Sequence, residues 1–406
     1  MSYTKDFQEL QKLLLSPSAE KKYDSIELFE AHFNSFSFKI LPGADEYFCE
    51  THQTTLKQNF SFYTDIGPMI DHLQTKDIAI KENQEFDYYL MKPAGVEKTS
   101  KVIFLFHGFN EKNWSKYLPW AKSLCDRTGS AVILFPIAFH MQRAPENWSS
   151  KKEMYQLSEL RKQQFPNIIN STLSNVAISM RLHSMPQRFI WSGLQTFYDV
   201  IQLINEIRQG KHQHIQKDFM FDLVAYSIGG FLALILKLTN FDNLFANAKV
   251  GLFCSGATFN RLSPVSKFIL DSEANVALYS FLIEHFDAIL KKDNLLNHFI
   301  NEDHTEGKIF YSMLDYHKMR EFREELFKKF EKHIYAITLK KDTVIPSFEV
   351  VNTLKGAYRN INIRVDEIDF DRSYIHENPF PVNRAQNKIN KDFEFVFSKI
   401  GDFLNQ

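Results

Sequence analysis

From Lys101 onward the chain alternates short, almost continuously apolar runs with longer stretches of helical periodicity. The apolar runs are KVIFLF (101–106), AVILFPI (131–137), FDLVAY (221–226), AKVGLFC (248–254), HIYAITL (333–339) and INIRVDEI (361–368). Runs of this length with few polar interruptions predict strands covered on both faces, as in a mostly parallel sheet with helical crossovers. Helices are predicted between them over residues 119–127, 195–208 and 229–238, with a last one over about 392–404. Two segments interrupt this alternation, an insertion at 138–190 and another at about 260–330. The second carries apolar residues at helical spacing (FILDSEANVALYSFLIEHFDAIL, 268–290) and falls between two strands, the place for a helical lid over a site or for a plain helical subdomain. Residues 1–97 read as an N-terminal extension packing on the core. They comprise an amphipathic opening helix and short alternating runs, SFSFKI (35–40) and FDYYLM (86–91), the latter a strand feeding the main sheet. With no internal repeat or low-complexity linker, residues 98–406 read as one α/β domain carrying both insertions.

Composition changes this picture little. The chain has 406 residues, 44% hydrophobic and 24% charged, within the range of folded globular proteins and long enough for a large core. Its net charge of −1 supplies no field that would draw nucleic acid or an anionic membrane. The 39 phenylalanines fit a Phe-rich core, an apolar substrate pocket, or biased codon usage. Cys49, Cys125 and Cys254 are odd in number and lack metal-ligand spacing, so they read as buried reduced thiols, with no metal expected. No apolar leader or run of membrane-spanning length is visible, and the expectation is a soluble, cytoplasmic protein without membrane insertion.

The chemistry concentrates in four loops, each following a predicted strand. FDLVAYSIGGFLALILKL (221–238) is an apolar strand, a sharp turn with Ser227 at its apex, and a helix opened by Gly229 and Gly230. This is the layout of a nucleophile elbow, in which small neighbours let a strained turn hold the serine above the sheet. A glycine usually precedes such a serine by two positions; here it is Ala225. Serine attack on a carbonyl needs donors for the developing oxyanion. One would be the backbone N–H of Ile228; the other, from the HGFN loop (107–110), would be that of Phe109. His107 in this loop reads as a structural hydrogen-bonding residue rather than a base. Asn110 and Glu111 read either as helix caps or as substrate contacts.

A serine also needs a base, and the base a carboxylate to hold its tautomer. LKKDTVIP (339–346) places Asp342 in the turn after a strand, and YIHENP (374–379) presents His376, the one histidine after Asp342, in a loop before the final helix. Asp366, Asp369 and Asp371 are alternative acids at less suitable positions. At the edge where sheet ligands bind, His140 and Arg143 in IAFHMQRAPENW (137–148) are further candidates for substrate contact, Arg143 equally as a salt-bridge anchor. His304, after Glu302 and Asp303, reads as part of a solvated face, since it lacks spaced partners for a metal.

In their order Ser, Asp, His and in the four loops AYSIGG, HGFN, LKKDTVIP and YIHENP, residues 101–406 resemble the α/β-hydrolase superfamily. The run from HGFNE through IAFHMQRAP to FIWSGLQTFYDV is also similar to a bacterial subgroup of undefined function. The resemblance implies an eight-stranded, mostly parallel sheet, a lid after the sixth strand, acyl-enzyme chemistry with a Ser227–His376–Asp342 triad, and no cofactor. The expected activity is hydrolysis of an ester, thioester or amide of a small-molecule or acyl substrate. A peptidase or acyltransferase could use the same triad, and a noncatalytic binding or scaffold role is the alternative from another class. The oligomeric state is not encoded in any pattern found.

Overall fold

The computed structural model describes residues 2–16, 21–58, 73, 75–302 and 304–406. Its strands, in chain order, are β1 (Lys22–Tyr23), β2 (Ile26–Asn34), β3 (Glu46–Cys49), β4 (Thr54–Lys57), β5 (Glu85–Pro93), β6 (Thr99–Phe106), β7 (Ala131–Leu134), β8 (Ile215–Tyr226), β9 (Val250–Phe253), β10 (Ile334–Leu339) and β11 (Arg364–Ile368). Nine form one sheet in the order β1-β2-β5-β7-β6-β8-β9-β10-β11, while β3 and β4 form a separate hairpin. Strands from β7 to β11 along that order run parallel, whereas β5 is antiparallel to both of its neighbours. The sheet thus has one strand more than the eight expected. The extra one is the two-residue β1, which folds back on Ile26 and Glu27 at the edge.

Alternation along the strands divides the core in two. Val102, Phe104 and Phe106 of β6 join Ile190, Leu194 and Phe197 of helix Arg188–Arg208 and Leu234 and Leu238 of helix Ile228–Thr239. Ile103 and Leu105 face the other way, onto Leu124 of helix Leu118–Thr128, Val396 and Phe397 of helix Gln386–Asn405, and Leu10 of helix Tyr3–Leu15. A strand clothed on both faces needs apolar residues at every position, which is why β7, β9 and β10 are buried throughout. Among the described residues no helix is long and apolar enough to cross a membrane.

The N-terminal segment supplies β2 and β5 to the sheet. The alternating run 35–40 forms no strand: Ser37–Ile40 is a 3-10 turn. There the chain leaves β2 because Ser35 is drawn inward, its hydroxyl donating to Asp199 at 2.6 Å and its N–H to the Gln84 carbonyl at 2.8 Å. Residues 138–190 contain helices Lys151–Gln164 and Val176–Ser184, packed around Trp148, Met154, Leu157 and Met180. Between β9 and β10 lie helices Ser272–Tyr279, Asn294–Asn301, Thr305–Leu314 and Arg320–Lys329. A fully buried ion pair, Arg161 to Asp271 at 2.7 Å, joins these two insertions above the sheet.

Candidate active site

The carboxyl ends of β6, β8, β10 and β11 carry the four loops singled out in the sequence. Ser227 follows β8 directly with φ of 55° and ψ of −127°, a left-handed conformation that an L-residue holds only when its surroundings over-determine it. Here the helix that starts at Ile228 and the end of β6 pin it. A Cβ on Gly229 would lie 2.6 Å from the His107 carbonyl oxygen, so glycine lets the helix meet the neighbouring strand end. Ala225 needs no such freedom. It is an ordinary strand residue paired with Phe106 and Leu252, which explains why alanine serves where glycine is usual.

His376 Nε2 lies 2.7 Å from Ser227 Oγ, and His376 Nδ1 lies 2.7 Å from Asp342 Oδ2. The other carboxylate oxygen, Oδ1, accepts the backbone N–H groups of Val344 and Ile345, each at 2.9 Å. With both oxygens committed, the carboxylate is fixed in plane, Nδ1 is its donor, and Nε2 is left as the acceptor for the serine hydroxyl. All three side chains are buried, Ser227 and Asp342 at 5% exposure and His376 at 3%. The loops are tied together as well: the Lys341 N–H donates to Tyr374 Oη at 2.9 Å, joining the acid turn to the histidine loop.

The alternative acids stand elsewhere. Asp366 binds Tyr335, Arg364 and Lys399; Asp369 accepts from Tyr374; Asp371 pairs with Lys388 on the surface.

The remaining candidates divide sharply. His107 is structural: Nε2 accepts the Ile137 N–H at 2.9 Å, Nδ1 donates to the Gly108 carbonyl at 2.7 Å, and burial holds its pKa well below the ordinary histidine value. Asn110 neither caps a helix nor lines the cavities described below. Its amide donates to the Ser174 and Phe268 carbonyls at 2.9 and 2.6 Å, stapling both insertions to the HGFN loop. Glu111 accepts from Tyr117 Oη at 3.0 Å and pairs with Lys116, away from the cavities.

Arg143 is bonded within the scaffold. Its guanidinium is fully buried, paired with Asp199 at 2.7 Å, bonded to Asn83 Oδ1 at 3.0 Å and to the Pro136 carbonyl at 3.1 Å, and lies 4.1 Å over the Phe86 ring. The salt-bridge alternative is the one realised, because the sheet end it occupies is sealed by helix Arg188–Arg208.

His140 keeps its candidacy. Nδ1 donates to the Ala138 carbonyl at 2.8 Å, leaving Nε2 a buried acceptor without a partner. Burial lowers its pKa to about 4.

Two small cavities meet at Phe109, Phe189 and Ile228. One, about 30 Å³, contains Ser227 and is walled by Phe259, Leu270, Leu278 and Val344. The other, about 50 Å³, reaches His140, Thr196 and Phe310. The space holds only a few waters, so a substrate must displace part of the wall, to which residues 259–278 contribute on the Ser227 side.

Several contributors were hidden from sequence reasoning. Tyr226 stacks on His376 with centroids 5.3 Å apart and planes 17° from parallel. Ser255 Oγ donates to the Ser227 carbonyl at 2.6 Å, bracing the elbow. Phe189 reaches the cavity from a helix whose only sequence signal is core periodicity. His304 corrects an expectation: only 5% exposed, it faces Cys49 and His298 rather than solvent, because the hairpin β3–β4 covers it.

The strand order, with β5 antiparallel and six parallel strands following, and the strand–serine–helix elbow define an α/β-hydrolase fold. Within that class the chain belongs to the family of unknown function DUF6051, whose profile matches residues 1–405. No curated protein matches the sequence. Similar solved structures include a carboxyl esterase from the fungus Tuber melanosporum, at 12% identity and a TM-score of 0.43 over 79% of this chain and 82% of that one. A thermostable esterase from Pseudomonas putida has 10% identity and a TM-score of 0.43 over 100% and 91%. An esterase from Pyrobaculum calidifontis has 10% identity and a TM-score of 0.44 over 99% and 90%.

Proposed function

We propose that the protein is a serine hydrolase that cleaves an ester or related acyl bond through a covalent acyl-enzyme. The observation that carries this reading is the unbroken relay from Asp342 through His376 to Ser227, with 2.7 Å at both junctions. In the first half-reaction Ser227 Oγ bonds to the acyl carbon while its proton passes to His376 Nε2. Negative charge collects on the former carbonyl oxygen. Ile228 opens its helix, so its N–H has no intrahelical acceptor and can take that oxygen, with the Phe109 N–H as the second donor. The intermediate collapses, the bond to the leaving group breaks, and that group departs with the proton from Nε2. Water then repeats the sequence: His376 takes its proton, its oxygen bonds to the acyl carbon, and Ser227 Oγ leaves with the proton returned. Asp342 stabilises the imidazolium of both steps without accepting a proton.

The apolar wall favours a small apolar acyl group, and the bare Nε2 of His140 gives one buried acceptor for a hydroxyl or amide N–H of the substrate. An unbroken relay on a strained elbow argues against a purely noncatalytic scaffold. The test is turnover of p-nitrophenyl esters of increasing acyl length, alongside an acyl thioester and a peptide anilide, by wild type and Ser227→Ala. Saturable ester turnover that falls about 10⁶-fold in the variant supports the reading. Equal residual rates in both proteins would sink it.

A further inference from the structure

Outside the active site, four potential ligands converge on one point. Cys49, at the end of β3, and His52, in the hairpin turn, come from the N-terminal segment. His298 lies on helix Asn294–Asn301, and His304 caps helix Thr305–Leu314. One ligand atom from each lies within 4.8 Å of all the others. Cys49 Sγ is 3.4 Å from His304 Nε2 and 3.5 Å from His52 Nδ1, and the His298 and His304 Nε2 atoms are 3.1 Å apart. A zinc ion holding thiolate at about 2.3 Å and imidazole nitrogen at about 2.05 Å in tetrahedral geometry sets its ligands about 3.3 Å (N to N) and about 3.6 Å (S to N) apart.

The outer contacts point the same way. His298 Nδ1 lies 2.5 Å from Glu302 Oε2, and His304 Nδ1 lies 2.8 Å from Glu306 Oε1, which also accepts from Tyr198 Oη. A carboxylate on one ring nitrogen is the usual support of a metal-bound histidine, fixing the proton there and turning the other lone pair inward. Both Nε2 lone pairs then face each other at 3.1 Å, and the one thiol proton beside them cannot satisfy both. A shared cation can. Cys49, His298 and His304 are at most 5% exposed, and the rings of Phe299, Tyr47 and Trp191 close around the group.

We propose that Cys49, His52, His298 and His304 bind one structural zinc ion. A closed set of four ligands, one thiolate and three imidazoles, suits that ion and leaves no open position for chemistry. Binding replaces the thiol proton of Cys49 by a sulfur–zinc bond and releases that proton to solvent. The ion clamps the β3–β4 hairpin to the helices between β9 and β10. It fixes the start of helix Thr305–Leu314, whose Phe310 lines the cavity behind the elbow.

The full-length protein, expressed with zinc supplementation and purified without chelators, should carry about one zinc per chain. Replacement by cobalt(II) should produce a thiolate-to-cobalt charge-transfer band and strong tetrahedral d–d bands. A Cys49→Ser/His304→Asn double variant that keeps its circular dichroism should lose both. Should that variant not fold, a chelator added to wild type should lower its Tm, and zinc should restore it. Wild type with neither zinc nor a tetrahedral cobalt spectrum would overturn the proposal. So would a folded double variant that retains the full zinc content, or a Tm indifferent to both chelator and zinc.

Discussion

Two buried polar clusters, each built on an aspartate, differ in how they end. Around Asp199 every strong donor meets an acceptor: Arg143, Ser35, Asn83 and Gln195 form a network closed on itself beneath helix Arg188–Arg208. Around Asp342 the bonds run in a line and stop at Ser227 Oγ, which borders a cavity. The first cluster has nothing left to offer a ligand, and its role is to hold the end of the sheet against the insertion. The second keeps one end open at Ser227 Oγ, and in the proposed reaction the same kinds of group serve as a proton relay. A closed network fixes structure, and an open-ended one is free for chemistry.

The sharpest way to probe this contrast is one substitution applied to both. Asp342→Asn should reduce kcat about 10,000-fold by disturbing the tautomer of His376, with little change in the unfolding midpoint. Asp199→Asn should leave the intrinsic activity of folded protein near wild type. It should cost about 3–5 kcal/mol of stability, because the buried Arg143 loses its counter-charge. Urea unfolding and steady-state kinetics on the same preparations separate the two effects. If Asp199→Asn lost kcat without losing stability, the division between the clusters would fail.

Acid should act on the scaffold. Burial lowers His140 to about 4 and His107 well below its usual value, so the folded state binds fewer protons than the unfolded chain, whose histidines titrate near 6.5. Their contribution is complete above pH 6.5 and lost as pH falls toward 4, about 3 kcal/mol from His140 alone. Denaturation followed by fluorescence should show this decline, and His140→Phe should flatten it. The smallest effect expected is for Tyr226→Phe. The buried hydroxyl has no hydrogen-bond partner, so its removal should change stability by less than about 1 kcal/mol while the ring still stacks on His376. A large loss of activity there would give that hydroxyl a role in the relay.

The positions of the open-ended cluster were legible in the sequence, whereas of the closed one only Arg143 was, as a salt-bridge anchor without a named partner, for a physical reason. Ser227, Asp342 and His376 each follow a predicted strand, so local patterns fix their backbone positions, and the parallel sheet brings its carboxyl edges together. Arg143 and Asp199 are 56 positions apart, Cys49 and His304 are 255 apart, and each pair meets only through the packing of insertions whose helices carry no signal of their neighbours. Asp199 sits inside a helix, where periodicity marks a face but names no partner. The sixfold run of parallel strands was predicted from burial on both faces, whereas the two-residue β1 is too short for any pattern to reveal.

The measurement that bears most directly on the central claim is intact-mass analysis after treatment with a fluorophosphonate, for wild type, Ser227→Ala and His376→Ala, with the modified peptide mapped. An activated serine predicts one adduct per chain on the Ser227 peptide, absent from both variants. Folded wild-type protein that stays unmodified, or that is modified at another residue, would contradict it.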